Sequence, residues 1–387
     1  MFVKLLQATK FRKGISVLLV CAIILPCLIM QGSALELITA QLSFVTASEK
    51  SAVEAAMDAR GLGGEVSVEC LYNAEGQAKF LLGVSKAGYL IMSRDSLLCI
   101  ECGEGNPYRE YVDSKKYYGG VLCYYIADNI GYYDLSRGKS CSSMTINPNT
   151  YDLKANVSDA TSESNRGESE PVAAAATATV TRAAELYSNF NWIRRHAFGF
   201  NVDGTCSAVA TTLALNYLDY HNGHVVPSRY HLEELTGIAT ASDVATLYPK
   251  AEAFHQYIIS CGMGIGSFAD FITEAIDNYR NSSFSIFETG INCVHYVNLV
   301  GAVIKPYLDC DRPAMLTSTF FGDIDTHTML VYGYREFSDG STEWLVHPGW
   351  YNSVIQVTSG GVYAVEERWV SNATATFFYV FSLWGDE

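Results

Sequence analysis

Apolar residues in the first third of the chain occur in short runs that are separated by glycine-containing turns. The runs cover residues 66–72, 80–84, 89–93, 97–101 and 121–126. Their length and composition predict β-strands, whereas the apolar spacing of residues 47–60 predicts a helix. The pattern therefore predicts a small antiparallel α+β unit over residues 35–151.

Residues 152–182 show a different pattern. A polar stretch rich in Ser, Asn and Glu is followed by Ala and Thr, and neither part can bury a hydrophobic core. This composition predicts a disordered linker in which Arg166 and Arg182 are accessible to proteases.

The last part of the chain, residues 183–387, changes from a helical to a strand-like period. Helical spacing covers residues 206–220, 242–260, 268–279 and 294–307. Strand-like runs cover residues 314–318, 328–334, 344–347, 361–365 and 376–382. Helices followed by strands predict a second α+β domain, with N-terminal helices and an antiparallel sheet.

The N-terminus has the pattern of an export signal. Four basic residues within the first thirteen positions precede an apolar run over residues 15–30, and small residues follow at 32–34. This predicts a signal peptide over residues 1–34 that is cleaved on secretion. An uncleaved membrane anchor is the alternative, which Pro26 and the modest length of the run disfavour.

Composition adds two limits to this picture. Hydrophobic residues make up 49% of the 387 positions, which is enough for the cores of two domains. The net charge of −15 argues against a nucleic-acid partner, because binding to phosphates needs concentrated Lys and Arg.

Eleven cysteines are present, two of them within the predicted signal peptide. The odd number that is left in an exported chain indicates one free thiol; if this is Cys206, the other eight could pair, with a connectivity that stays open. Cys99 and Cys102 have the spacing of metal ligands, but no second such pair follows. Residues three apart in a strand also face opposite sides, so structural cysteines are favoured at both positions.

Two residues carry the candidate chemistry. Cys206 opens the helical run 206–220, and His327 begins a strand-like run more than one hundred residues later. A thiol must ionise to act as a nucleophile, and both a helix N-terminus and a nearby imidazolium stabilise the thiolate. The structural alternatives are a small buried residue at a helix start and a hydrogen-bonded strand histidine.

Three sequence blocks resemble papain-like cysteine peptidases of the streptopain and C39-like groups. They are Asp203-Gly-Thr-Cys206-Ser-Ala, Thr326-His327-Thr-Met-Leu-Val-Tyr-Gly-Tyr334 and Trp344-Leu-Val-His347-Pro-Gly-Trp350. In the first unit, Leu71-Tyr-Asn73 and Gly88-Tyr-Leu-Ile-Met-Ser93 are similar to a streptopain-type prodomain. The resemblance implies a papain-like fold for residues 183–387, with Cys206 as nucleophile, His327 as base and acid, and no cofactor.

The third catalytic position departs from this family's pattern. His347 stands where these enzymes carry Asn or Asp. A neutral imidazole could accept a hydrogen bond from His327 and fix its tautomer, as some cell-wall peptidases do with a histidine. The alternative is that His347 only packs against Trp350.

The oxyanion hole is the second departure. The family usually supplies a Gln about six residues before the cysteine, and this chain has Phe200 there. The backbone N–H of Cys206 can supply one donor. Asn201 could supply the second donor, unless it is only a turn residue.

The resulting hypothesis is a secreted bacterial cysteine peptidase that is made as a zymogen and acts on a peptide or protein substrate. Residues 35–151 would inhibit it intramolecularly until the linker is cleaved. Two alternatives remain: a cell-wall amidase or endopeptidase of the same fold, and a non-catalytic binding or adhesion protein on the same scaffold.

Overall fold

The computed structural model describes residues 44–136, 138–144, 179–185, 190–196, 204–222, 225–231, 249–264, 269–283, 291–297, 303–318, 327–349, 354–356, 363–375 and 377–382. The chain divides into residues 1–45 and one compact unit, Thr46–Glu387, to which everything below refers. The predicted signal peptide lies outside the described residues. Among the helices that are described, none has the length and apolar character needed to cross a membrane.

Helix α1 (Ala47–Asp58) confirms the predicted helix and ends two residues earlier than expected. Its start is a capping box, in which the Thr46 hydroxyl accepts from the N–H of Glu49 and the Glu49 carboxylate accepts from the N–H of Thr46. The buried side of the helix, which includes Val53 and Met57, packs on the first strands of the sheet.

We call residues 46–144 of the compact unit the N-terminal part and the described residues after them the C-terminal part. The N-terminal part contributes the following strands: β1 (Ser67–Tyr72), β2 (Ala78–Val84), β3 (Tyr89–Ser93), β4 (Cys99–Gly103), β5 (Lys116–Gly120), β6 (Cys123–Asp128), β7 (Gly131–Asp134) and β8 (Lys139–Cys141). Strands β1–β4 form an antiparallel meander, and β5–β8 form a second one. The two meanders meet where β1 pairs with β5 in parallel, which the prediction of a purely antiparallel unit did not include.

The helices of the C-terminal part are α2 (Phe190–Arg195), α3 (Cys206–Asn222), α4 (Pro249–Ser260), α5 (Ala269–Ser283) and α6 (Ile304–Asp309). Its strands are β9 (Val180–Glu185), β10 (Asn292–Val297), β11 (Ala314–Ser318), β12 (His327–Phe337), β13 (Thr342–His347), β14 (Val354–Gln356), β15 (Tyr363–Val365), β16 (Arg368–Ser371) and β17 (Phe377–Ser382). The chain is thus a mixed fold of helices and one large sheet, with β14 and β15 as a separate pair.

Two predicted elements need correction. The helix expected over residues 294–307 is wrong in its first half, because β10 occupies residues 292–297 and pairs along its length with β17. The predicted linker, residues 152–182, lies mostly outside the described residues, but its last residues belong to β9. That strand begins at Val180 and pairs with β12, so Arg182 lies in a hydrogen-bonded strand.

One sheet runs through both parts of the compact unit. Among the described strands its order is β10-β17-β11-β12-β13-β16-β4-β3-β2-β1-β5-β6-β7-β8, with β9 also paired to β12. The two parts meet where β4 pairs with β16, and Gly103, Cys102 and Glu101 lie opposite Arg368, Trp369 and Val370. We call this β4–β16 pairing the seam. None of the nine cysteines among the described residues forms a disulfide.

Candidate active site

Cys206 is the first residue of helix α3, as the sequence predicted. Gly204, with a φ of 84°, turns the chain into the helix through the left-handed region that favours glycine. The helix is covered by the rest of the protein on almost every side, because residues 206–218 are all buried. The N-terminus of α3 is therefore held against the sheet, and its first N–H groups surround the thiol.

Strand β12 contacts the thiol directly. The backbone N–H of Thr328 donates to Sγ of Cys206 over 3.4 Å, and Thr328 is the residue after His327. The Thr328 hydroxyl accepts from the hydroxyl of Ser207 over 3.0 Å and lies 2.8 Å from the hydroxyl of Thr317. This buried chain of hydroxyls fixes the start of α3 on the strand that begins with His327.

The thiol of Cys206 is protonated in this state of the protein near neutral pH. Burial raises its pKa, and the N–H groups of Thr328 and Ser207 together with the Ser207 hydroxyl only partly oppose that effect. The thiol therefore becomes a nucleophilic thiolate only if a base accepts its proton, or if the residues that bury it move away and expose it to solvent.

His327 is the first residue of β12, and its ring is oriented by the main chain. Its Nε2 lies 2.9 Å from the carbonyl oxygen of Pro348. A carbonyl oxygen can only accept, so Nε2 carries a proton, and whenever the ring is neutral its lone pair is on Nδ1. This tautomer is the one in which Nδ1 can take a proton from a thiol.

His347 does not orient His327 directly, which corrects the prediction. His347 pairs with Leu330 across β12 and β13, so it shares a face of the sheet with Leu330, and His327 faces the other side. Its Nδ1 accepts instead from the N–H of Gly349 over 3.1 Å. Its buried Nε2 makes no hydrogen bond to the described residues.

The imidazole of His347 is neutral. Burial lowers its pKa to about 3, and the neighbouring side chains of His196 and Arg194 add to this effect, while the backbone of His196 opposes it. A second buried histidine, His255, borders the start of α3: burial lowers its pKa to about 4, and the main chain of Thr205 opposes that shift. Residue type and spacing alone indicated no role for His255.

The second predicted oxyanion donor, Asn201, lies outside the described residues, as do Phe200 and Trp350. The role of Asn201 stays a prediction. The donor that the described geometry offers is the N–H of Cys206 at the start of α3.

The Pro348 carbonyl was missed by sequence reasoning. A main-chain carbonyl leaves no signature in the residue type. The only sequence signal was the Pro-Gly pair directly after His347, which predicts a turn.

Cys99 and Cys102 lie side by side, although the sequence analysis expected them on opposite faces of a strand. The pairing of β3 with β4 shifts register between Ile91 and Met92, which lie opposite Glu101 and Cys99. This bulge adds one residue to β4, so the two cysteines come to share a face.

The Glu343 carboxylate joins this cysteine pair, and the three potential ligand atoms lie within 4.8 Å of one another. Arg60 and Arg335 both donate to Glu343, over 2.7 Å in each case, and Arg335 also donates to Sγ of Cys102 over 3.0 Å. Two guanidinium groups already occupy the carboxylate. The cluster is therefore a poor cation site, and it connects α1, β4, β12 and β13 as a structural network.

A cavity of about 320 Å³ lies beside the loop that orients His327. Residues of the N-terminal part, including Pro107, Arg109 and Tyr124, line it together with Pro348 and Arg368. The N-terminal part therefore reaches the same loop whose carbonyl accepts from His327.

No protein-family model and no curated protein matches the chain. Among solved structures, a recombinant stem bromelain precursor is 14% identical with a TM-score of 0.25, over 52% of this chain and 70% of the bromelain chain. The bromelain protease from Ananas comosus in complex with the E64 inhibitor is 16% identical with a TM-score of 0.25. The match covers 51% of this chain and 97% of the bromelain chain. Likeness at this level carries no weight, and the streptopain and C39-like resemblance stays a prediction.

Proposed function

We propose that the protein is a secreted cysteine peptidase, made as a zymogen, that hydrolyses peptide bonds through Cys206 and His327. One arrangement carries the proposal. The thiol at the start of α3 accepts a hydrogen bond from Thr328, and the preceding residue, His327, has its ring fixed by the Pro348 carbonyl. A thiol, a tautomer-fixed imidazole and a helix N-terminus together are the parts that acyl transfer needs.

The reaction follows from these positions. Nδ1 of His327 takes the proton of the Cys206 thiol, and the thiolate attacks the carbonyl carbon of the scissile peptide bond. The N–H of Cys206 stabilises the negative oxygen. His327 then returns its proton to the departing amine, which leaves a thioester on Sγ. His327 next takes a proton from water, the hydroxide releases the acid, and the thiol is restored. No cofactor takes part in these steps.

The zymogen part of the proposal is supported by the contacts of the N-terminal part. Besides the seam, a buried ion pair joins Arg60 to Glu343, and Arg194 pairs with Glu104 at 2.6 Å. The cavity beside Pro348 brings residues of the N-terminal part to the loop that orients His327. With the raised pKa of Cys206, these contacts support a covered, inactive thiol in the intact chain.

These contacts also indicate how activation proceeds. Removing one partner of a buried ion pair typically costs 3–5 kcal/mol, so the N-terminal part does not leave the enzyme merely because the chain is cut. Activation therefore needs cleavage between residues 145 and 178 and then displacement or degradation of the N-terminal part.

The test follows two signals in one sample. The intact chain is digested in the segment 145–178, and hydrolysis of fluorogenic peptide amides is recorded together with iodoacetamide labelling of Cys206. We expect both rates to rise at least tenfold once the N-terminal part has been removed. The exposed Cys310 serves as the internal control, because its labelling should not change.

A non-catalytic scaffold is the second candidate, and the burial and raised pKa of Cys206 favour it. It predicts that Cys206 labels slowly before and after processing and that no peptide amide is cleaved. That result would refute the peptidase. An intact chain that is already fully active would refute only the zymogen.

A further inference from the structure

The peptide unit between Pro348 and Gly349 makes two hydrogen bonds at its two ends. Its carbonyl oxygen accepts from Nε2 of His327 over 2.9 Å, and its N–H donates to Nδ1 of His347 over 3.1 Å. The described residues contain no cis peptide bond, so this C=O and N–H point in opposite directions from one rigid plane. His347 and His327 therefore hold opposite ends of the same planar group.

We propose that His347 is a positioning residue for His327 that acts through the Pro348–Gly349 peptide. Fixing the N–H end fixes the orientation of the whole plane, and with it the direction of the carbonyl that holds the His327 ring. A hydrogen bond accepted from one end of a peptide also strengthens the bond made at the other end. His347 in this way takes the role that a direct side-chain partner has in a catalytic triad.

The backbone around this peptide is suited to that role. Gly349 has a φ of 74°, in the left-handed region that favours glycine, so the chain turns sharply directly after this peptide. Pro348 fixes its own φ and limits the swing of the plane from the other side. The turn therefore has little freedom except rotation of the peptide itself, which His347 removes.

The imidazole is also in the correct state to accept. Nδ1 can accept only while His347 is neutral, and burial lowers its pKa to about 3. The neutral ring then carries its proton on Nε2, and the main chain of His196, which opposes the effect of burial on the pKa, contacts this ring.

The inference rests on the proposed function for its catalytic meaning, but its geometry can be tested without turnover. In ¹⁵N-labelled protein, the ring nitrogens of His327 report the tautomer, and a coupling across the hydrogen bond joins the Gly349 amide nitrogen to Nδ1 of His347. We expect the wild-type protein to show both signals. Absence of the coupling in folded wild-type protein would overturn the inference.

Two isosteric substitutions separate positioning from packing. In His347→Asn the amide oxygen replaces Nδ1 and can still accept from Gly349, whereas in His347→Gln the polar end replaces Nε2 and cannot. We expect the Asn variant to keep the Nε2–H tautomer of His327 and kcat within about threefold of wild type. We expect the Gln variant to lose the single tautomer and about 10- to 100-fold in kcat with little change in KM, because a misoriented base slows proton transfer.

The outcomes are distinct. Equal tautomers and equal kcat in the Asn and Gln variants would overturn the inference. A processed wild-type chain that shows the tautomer and the coupling but no peptide hydrolysis would refute the proposed function and leave the positioning of His327 by His347 in place. If the Gln variant does not fold, the wild-type coupling and the Asn variant still decide the question.

Discussion

Two buried cysteines of this protein lie in opposite kinds of surroundings. Cys206 receives its hydrogen bonds from backbone N–H groups and a hydroxyl at a helix start, and burial together with these hydrogen bonds gives the largest contributions to its pKa shift. Cys102 lies under the guanidinium of Arg335, beside Glu343, in a network of permanent charges. By charge alone, Cys102 has the more electropositive neighbour.

A positively charged neighbour does not by itself make a thiol reactive. Arg335 cannot accept a proton, and its charge is already balanced by Glu343. Next to Thr328, whose N–H donates to the Cys206 thiol, lies His327, an imidazole that under the proposed mechanism takes the proton and returns it. Reactivity in this chain is therefore expected where proton transfer is possible.

The greatest loss of activity is expected when the thiol of Cys206 is removed, whereas removal of the Cys102 thiol serves as the comparison. Cys206→Ala should lower peptide hydrolysis by the processed chain at least about 10³-fold, because no other group forms the thioester. Cys102→Ala, introduced in the full-length precursor, should leave the kcat of the enzyme matured from it within about twofold, because Cys102 belongs to the N-terminal part that maturation removes. Initial rates on one fluorogenic peptide amide, normalised to folded protein, give both values. Similar losses in the two variants would abolish the distinction between the two cysteines.

The next effect concerns the charges around Cys102. Arg60→Met breaks a buried ion pair and leaves the buried Glu343 with one guanidinium, so we expect the free energy of unfolding to fall by about 3–5 kcal/mol. Arg182→Met is the matched control, because the pair of Arg182 with Asp309 is largely exposed and should contribute less than about 1 kcal/mol.

Denaturant unfolding of both variants measures this difference. Once the N-terminal part has been removed, turnover per folded molecule should be the same for the Arg60→Met and wild-type chains, since Arg60 is no longer present in either matured enzyme. Equal unfolding free energies in the two arginine variants would show that burial does not distinguish the two pairs.

The smallest effect per residue is the pH dependence that comes from two buried histidines, His347 and His255. The folded state holds His347 and His255 with pKa values of about 3 and 4, below the ordinary value of 6.5. Between pH 6.5 and 4 the unfolded chain binds protons that the folded chain does not, so stability is present above pH 6.5 and is lost as the pH falls. The expected loss is about 2 kcal/mol per histidine by pH 5.

Unfolding free energies at pH 7, 6 and 5 measure this loss, and His347→Asn should remove about half of it. Glu101 acts in the opposite direction over the lower part of this range, because burial raises its pKa. The arginines around Cys102 do not titrate there. A pH-independent stability would mean that both buried histidines are accessible to protons in the folded state.

Much of the fold followed from local patterns. The predicted strands over residues 89–93 and 314–318 match β3 and β11 residue for residue, because continuous apolar runs between turn residues leave little choice. The strand β10 was mistaken for a helix, since its apolar residues become a strand only through pairing with β17. Strand β5, rich in Tyr and Gly, was not predicted for the same reason.

The sequence allowed the catalytic side chains of the candidate site to be predicted, but not the main-chain atoms that bind them. Cys206 at a helix start and His327 at a strand start are visible in the sequence, and the structure places them so. The hydrogen-bond partner of His327 is a main-chain atom, and the partner of His347 is another, so residue types could not indicate either. The side-by-side position of Cys99 and Cys102 depends on a bulge that only strand pairing reveals.

The seam has a consequence for how the chain folds. Strand β4 pairs with β16, so Cys102 lies opposite Trp369. The sheet can form across the seam only after the chain has been synthesised as far as β16 and this strand has reached β4. Closing so long a loop costs entropy before any contact offsets it, which makes this step slow. Until β16 is available, β4 is an unpaired edge that can pair with another chain. The nascent protein is therefore most prone to aggregate in the interval before its last strands are complete.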